Sequence, residues 1–246
     1  MSRASNAWKR APPTQMPRPV RSASSVSSSC IAGKTALVGG VSGRTIDRMP
    51  AQTWVTPVTL TGRHVRMEPL ADAHLADLVR VGLDAEIWRW ITGRPMDADG
   101  LRTWLELARA NADAGLEVPF ATIDGETGRA IGSTRFMTIA PEHRRLEIGW
   151  TWVGRDYQRS GTNREAKLLQ LAHAFETLGA ERVEFKTHAR NLASRAALLG
   201  IGATFEGVLR HHTIMPDGSN RDSAFYGILA GEWPTVKARL AASLAR

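Results

Sequence analysis

The chain has 246 residues, 43% hydrophobic and 23% charged, the balance of an ordinary globular protein long enough to bury a substantial core. Its one cysteine, Cys30, excludes an internal disulfide and a Cys-rich metal site, and no uninterrupted apolar run approaches the roughly 20 residues of a membrane-spanning helix. Of the net charge of +8, residues 1–50 carry +7, from eight basic groups against Asp47, so the rest has no basic excess to support a nucleic-acid reading.

Residues 1–50 read "APPTQMPRPV" and "RSASSVSSSC", rich in Ser, Pro and Arg with few large apolar side chains, so a disordered basic tail is expected before a folded domain over 51–246. The Arg/Ser bias resembles a transit peptide, but Pro12, Pro13, Pro17 and Pro19 oppose an amphipathic helix and no secretory apolar region follows the charges. The abrupt change of composition near Met49 also fits a translated upstream extension with the working start there. A phosphate-binding P-loop is rejected in "AGKTALVGG", because Ser28 stands where the motif needs glycine. A cytoplasmic setting is the expectation.

From residue 55 onward the pattern is regular. "VTLTGRHVRMEPL" alternates through Val58, Leu60, Val65 and Met67 and predicts a strand pair turning at Gly62. Asp72 is expected to cap a helix bearing Leu75, Leu78, Val79 and Leu83, and "DADGLRTWLELARANADAG" predicts a second, with Leu101, Trp104, Leu105 and Ala108 on one face. "VPFATID" and "RAIGSTRFMTI", joined by the turn "GETG", and then "RRLEIGWTWVG" predict three strands. A helix follows from about 163 to 178, striped by Leu168, Leu171, Ala172, Phe175 and Leu178 and stopped by Gly179. "RVEFKTH" reads as a strand, "LASRAALLG" as a short helix, and "ATFEGVLRHHTIM" with "DSAFYGIL" as two strands around "PDGS". The order β, αα, βββ, α, β, α, ββ describes an α/β fold with helices around one mixed sheet.

Within "DYQRSGTNREAKLL", residues 156–169, Thr162 and Glu165 have the T-x-x-E spacing of a capping box, which fixes a helix start. Just before it, Ser160 and Gly161 allow close backbone approach, and the free amides of a helix's first turn, with Arg155 and Arg159 nearby, make a site for a diphosphate. An ordinary strand-to-helix turn satisfies the same spacing.

The stretch from Asp156 to His212 resembles the acetyl-coenzyme A binding half of the GCN5-related N-acetyltransferases, in the branch that acetylates ribosomal-protein N-termini. Gln158, Arg159, Ser160, Gly161, Thr162 and Asn163 match the family motif Gln/Arg-x-x-Gly-x-Gly/Ala except at Asn163, and "NLAS" and "GATFEGVLR" resemble later segments of that branch. The resemblance covers about residues 56–235. It implies a mostly antiparallel sheet flanked by helices, a strand-loop-helix coenzyme A site, and transfer of an acetyl group from acetyl-CoA to a primary amine by direct attack. A protein N-terminus or a small molecule would be the acceptor.

The resemblance also implies roles. Residues 158–163 would hold the diphosphate, main chain of Trp152 and Val153 the pantetheine amides, Asn191 the pantetheine arm, and Ser194 the leaving sulfur. Glu147 is the first choice for general base, with pairing to Arg144 or Arg145 as its structural alternative. The position where the branch places its base falls at Thr213, with His211 or His212 as substitutes. Trp104 is expected in the core, while Trp88 or Trp90 stays open as a cover for the acceptor. No His or carboxylate spacing suits a metal, so none is expected. Homodimers are frequent in the family. A non-catalytic acyl-CoA sensor and an RNA or ribosome tether in the tail are the competing readings.

Overall fold

The alternating apolar residues from Leu60 to Pro69 do form a strand pair, and it opens one sheet that runs through the whole domain. The computed structural model describes residues 54–93, 95 and 97–245; the expected tail over 1–50 lies outside them. Strands β1 (Leu60–Thr61) and β2 (Val65–Pro69) are followed by helices α1 (Leu75–Gly82), α2 (Ala85–Trp88) and α3 (Ala98–Asp113). Next come β3 (Val118–Asp124), β4 (Ala130–Ala140), β5 (Arg145–Val153), α4 (Thr162–Ala172), β6 (Arg182–His188) and α5 (Leu192–Gly200). Strands β7 (Thr204–Ile214) and β8 (Asn220–Leu229) and helix α6 (Trp233–Leu244) complete the chain.

The eight strands lie in the order β1-β2-β3-β4-β5-β6-β8-β7. Every neighbouring pair is antiparallel except β5–β6, which is parallel, so the sheet is the mixed, mostly antiparallel one expected. Alternation on β3 divides the core: Val118 and Phe120 join the larger apolar cluster with Leu171 of α4 and Leu240 of α6, whereas Ala121 and Ile123 join Leu78, Leu101 and Trp104. Helices therefore cover both faces.

Three local expectations are corrected. The T-x-x-E capping box does not form: Gly161 is the N-cap of α4, in a left-handed conformation (φ +91°), and no side chain caps it. The Glu165 carboxylate instead accepts the backbone N–H groups of Arg63, His64 and Val65 at 2.8, 2.6 and 2.8 Å, tying the β1–β2 turn to α4. Asp72 caps nothing; it opens a short 3-10 turn and accepts from Arg109. Helix α6 was not expected at all, although Trp233, Val236 and Leu240 are buried along it and a proline sits in its first turn.

Beyond α4 the chain widens into a π turn over His173–Thr177 before Gly179 (φ +64°) reverses it, where the stop was expected.

Candidate active site

The site begins where a parallel pair fails to continue. Strands β5 and β6 are paired only at Arg145↔Arg182, Leu146↔Val183 and Glu147↔Glu184, yet β5 runs on to Val153 and β6 to His188. A bulge in β5 follows shortly after the last paired residue. Ser133 pairs with Trp152 but Arg135 with Gly149, leaving an extra residue at Trp150–Thr151, and Trp150 takes φ +49°. The bulge also swaps faces: Leu146 and Ile148 pack on the α4 side, whereas Trp152 packs with Trp88 and Trp104 on the other.

Past Glu147, the backbone of β5 facing β6 is an unpaired strand edge. Between the two strands lies a cleft of ≈690 Å³, with β5 from Gly149 to Val153 on one wall, β6 and α5 on the other and the loop into α4 at one end. The loop is tightly constrained. Gln158 Nε2 donates to the Val153 carbonyl at 3.1 Å, Arg159 and Gly161 are both left-handed (φ +63° and +91°), and Ser160 Oγ donates to the Tyr157 carbonyl at 2.7 Å. The next hydroxyl, of Thr162, lies 2.7 Å from Ser160 Oγ. This left-handed path delivers the free amides of the first turn of α4 to the cleft end.

Of the residues singled out in the sequence, Glu147, Trp152, Val153, Gln158, Arg159, Asn163, Asn191 and Ser194 all line the cleft. Ser160, Gly161 and Thr162 form the intervening loop without lining it. The Trp152 ring is buried 5.2 Å from that of Trp88 and 5.9 Å from that of Trp104, so its main chain is what it offers the cleft. Asn191 caps α5 through Oδ1, which accepts from Ser194 N–H at 3.0 Å; Ser194 itself is half-buried, with its hydroxyl unengaged among the described residues.

Glu147 is 4% exposed at the fork of β5 and β6. Neither Arg144 nor Arg145 pairs with it; they go to Glu181 and Glu184. Its Oε2 instead accepts from Thr138 Oγ1 and Lys186 Nζ, both at 3.1 Å, and its Oε1 has no hydrogen bond among the described residues. His211 and His212 lie outside the cleft. The His211 N–H donates to Asp222, and His212 Nδ1 lies 3.1 Å from Ser223 Oγ; Thr213, next in sequence, does line the cleft. Trp88 and Trp104 belong to the core, and half-exposed Trp90 closes one side of the cleft, its ring 4.7 Å from His188. No group of three or more His, Cys, Asp or Glu able to hold a metal occurs among the described residues.

Two cleft residues were not foreseen. Lys167, one turn after Asn163 on α4, is buried, and its Nζ donates to Thr134 Oγ1, Thr151 Oγ1 and Gln170 Oε1 at 3.1, 2.9 and 2.9 Å. With no carboxylate beside it, burial pushes the ammonium down to about 7. Its position as the one basic residue within "EAKLL" was the available signal. Arg221, at the start of β8, is the other; nothing local in "NRDSAF" marks it, because its surroundings come from β6 and the loop after α2.

The family described as "Acetyltransferase (GNAT) domain" matches residues 64–204. A solved structure from T. thermophilus, classed as an acetyltransferase, is 42% identical, covering 78% of this chain and 99% of that one with a TM-score of 0.71. Mycobacterium smegmatis RimJ in complex with CoA-disulfide is 25% identical over 76% of this chain and 95% of its own, with a TM-score of 0.67. The N-acetyltransferase YoaA of Bacillus subtilis (strain 168), itself uncharacterized, is 32% identical over 104 residues, which span 42% of this chain and 58% of that relative. No helix among the described residues is long and apolar enough to cross a membrane.

Proposed function

The chain belongs to the GNAT acetyltransferase family, on its RimJ/RimL-like branch, and from that premise we propose that it moves an acetyl group from acetyl-CoA to a primary amine, a protein N-terminus being the foremost class. The observation that carries this reading is the fork at Glu147, which joins a free strand edge, a left-handed loop at a helix N-terminus and a carboxylate in one cleft. The residues present fit the cosubstrate. The backbone groups of β5 past Glu147 that face away from β4 suit the peptide-like pantetheine arm, and the amides from Ser160 to Asn163 suit a diphosphate. Arg159 adds charge at the same end.

Acetyl-CoA supplies a thioester carbonyl, at which the amine's C–N bond forms as the C–S bond breaks. Glu147 takes the ammonium proton, directly or through water, on Oε1, while Lys186 and Thr138 hold Oε2 in place. The unengaged hydroxyl of Ser194 stands at the α5 wall to donate to the departing sulfur, and Asn191 keeps that turn in register. The test is thiol release from acetyl-CoA with a panel of amines. Glu147→Gln is expected to lower kcat by roughly 10²–10⁴-fold while coenzyme A affinity stays put. Equal loss of both, or of neither, removes Glu147 from the role of base.

A second reading, a non-catalytic acyl-CoA sensor, draws on the Lys186 ion pair, which holds Glu147 as a purely structural carboxylate would be held. It predicts coenzyme A binding with no amine turned over in the same screen.

A further inference from the structure

The side of the cleft away from the helix α4 loop carries a charge with no partner. Residues directly opposite one another in a sheet share a face, so the pairings Glu147↔Glu184, Lys186↔Phe225 and His188↔Ser223 place Glu147, Lys186 and His188 on one face with Arg221, two residues before Ser223. Arg221 is 8% exposed and lines the cleft. One guanidinium nitrogen, Nη1, donates to the Trp90 carbonyl at 3.2 Å; Nε is buried with no acceptor, and no carboxylate lies within salt-bridge distance among the described residues. Arg135, the other deeply buried arginine among the described residues, also leaves Nε without an acceptor but has its charge paired, with Glu117 Oε2 2.6 Å from its Nη1. At Arg221 the candidates are already taken. Glu147 Oε2 is held by Lys186 and Thr138 and neither oxygen of Glu147 reaches Arg221 as an ion pair among the described residues, while His188 and Trp90 bring no negative charge.

A guanidinium cannot shed its proton to escape burial, and its planar fork is shaped for a carboxylate. Burial disfavours its charged form and the more distant Glu147 only partly offsets this. The guanidinium opens to the cleft, on the same sheet face as Glu147. We propose that Arg221 anchors a carboxylate on the acceptor, so that this protein selects primary amines that carry an acid group close to the amine. The proposal rests on the acetyltransferase reading. Such an acceptor is a free amino acid or a peptide whose first residue is acidic, and Arg221 sets specificity without touching the reacting atoms.

The test uses the full chain and thiol release with matched pairs: an amino acid against its carboxamide, and peptides beginning with Asp against Asn. In one of the pairs the acid is expected to exceed its neutral partner in kcat/KM by about tenfold or more. Arg221→Gln is expected to raise KM for the acid and bring the ratio toward one, and Arg221→Lys, which keeps charge but not the fork, to recover part of it. The idea is overturned by equal rates within every wild-type pair, which needs no variant to fold, or by a loss in Arg221→Gln shared by both members of a pair. Weaker coenzyme A binding in that variant would also overturn it, assigning the arginine to the cosubstrate. If no amine turns over, quenching of tryptophan fluorescence by N-acetyl amino acids and their carboxamides, with coenzyme A present, separates the two readings. Tighter, Arg221-dependent binding of the acid keeps the anchor and removes the transferase; equal binding removes the anchor.

Discussion

Glu165 carries three backbone N–H groups on one carboxylate, and they belong to a turn a hundred residues earlier in the chain. Glu165→Ala leaves those donors without a partner and is expected to destabilise the fold by about 3 kcal/mol, read from urea unfolding, with Glu165→Gln intermediate. Lys167 poses the opposite case, a cation buried among neutral oxygens. The folded state holds its amine near 7 against an ordinary 10.5, so between these values the unfolded chain binds a proton that the folded chain lacks. Stability should therefore rise with pH through that window and be lowest below it. Lys167→Met should flatten the slope of unfolding free energy measured between about pH 7 and 9.5. Both residues sit in "REAKLL", where local spacing suggested a cap at Glu165 and marked nothing at Lys167; the turn that Glu165 holds and two of the three Lys167 acceptors lie on other elements and are invisible to a local pattern.

At the scale of elements, the strand ladder was legible because period-two alternation and turn residues mark each strand, and "RVEFKTH" and "LASRAALLG" coincide with β6 and α5. Helix α6 was not, since its buried residues Trp233, Val236 and Leu240 are few and follow a strand without a capping signal. The β5 bulge was hidden too: alternation in "LEIGWTWV" suggests one continuous face, whereas Trp150 at φ +49° moves Trp152 to the other. The loop before α4 depends on backbone conformation in the same way. At Gly161 an added Cβ would meet only Leu244 Cδ2, at 3.9 Å, so the penalty is conformational. Gly161→Ala is expected to cost about 1–2 kcal/mol and to weaken coenzyme A binding by roughly tenfold, measured by calorimetry.

For the molecule as a whole, the described residues that line the cleft run from Asp84 to Arg221. A chain starting at Met49 should therefore keep thiol release and a thermal midpoint within about 2 °C of the full chain. A salt-sensitive association with RNA that this truncation abolishes would give the +7 of residues 1–50 a tethering role. The sequence by itself determined the order of the strands and main helices and the position of the loop at 158–163, since these rest on periodicity and short-range motifs, and its family resemblance supplied Glu147, Asn191 and Ser194 as candidates. Only the tertiary structure decided that β5 and β6 part after Glu147, that Lys186 rather than Arg144 or Arg145 holds that carboxylate, and that Arg221 reaches the cleft with no carboxylate partner among the described residues. The reason is geometric: these residues lie far apart along the chain, and sheet pairing and one bulge, which leave no short-range pattern, bring them to a single face.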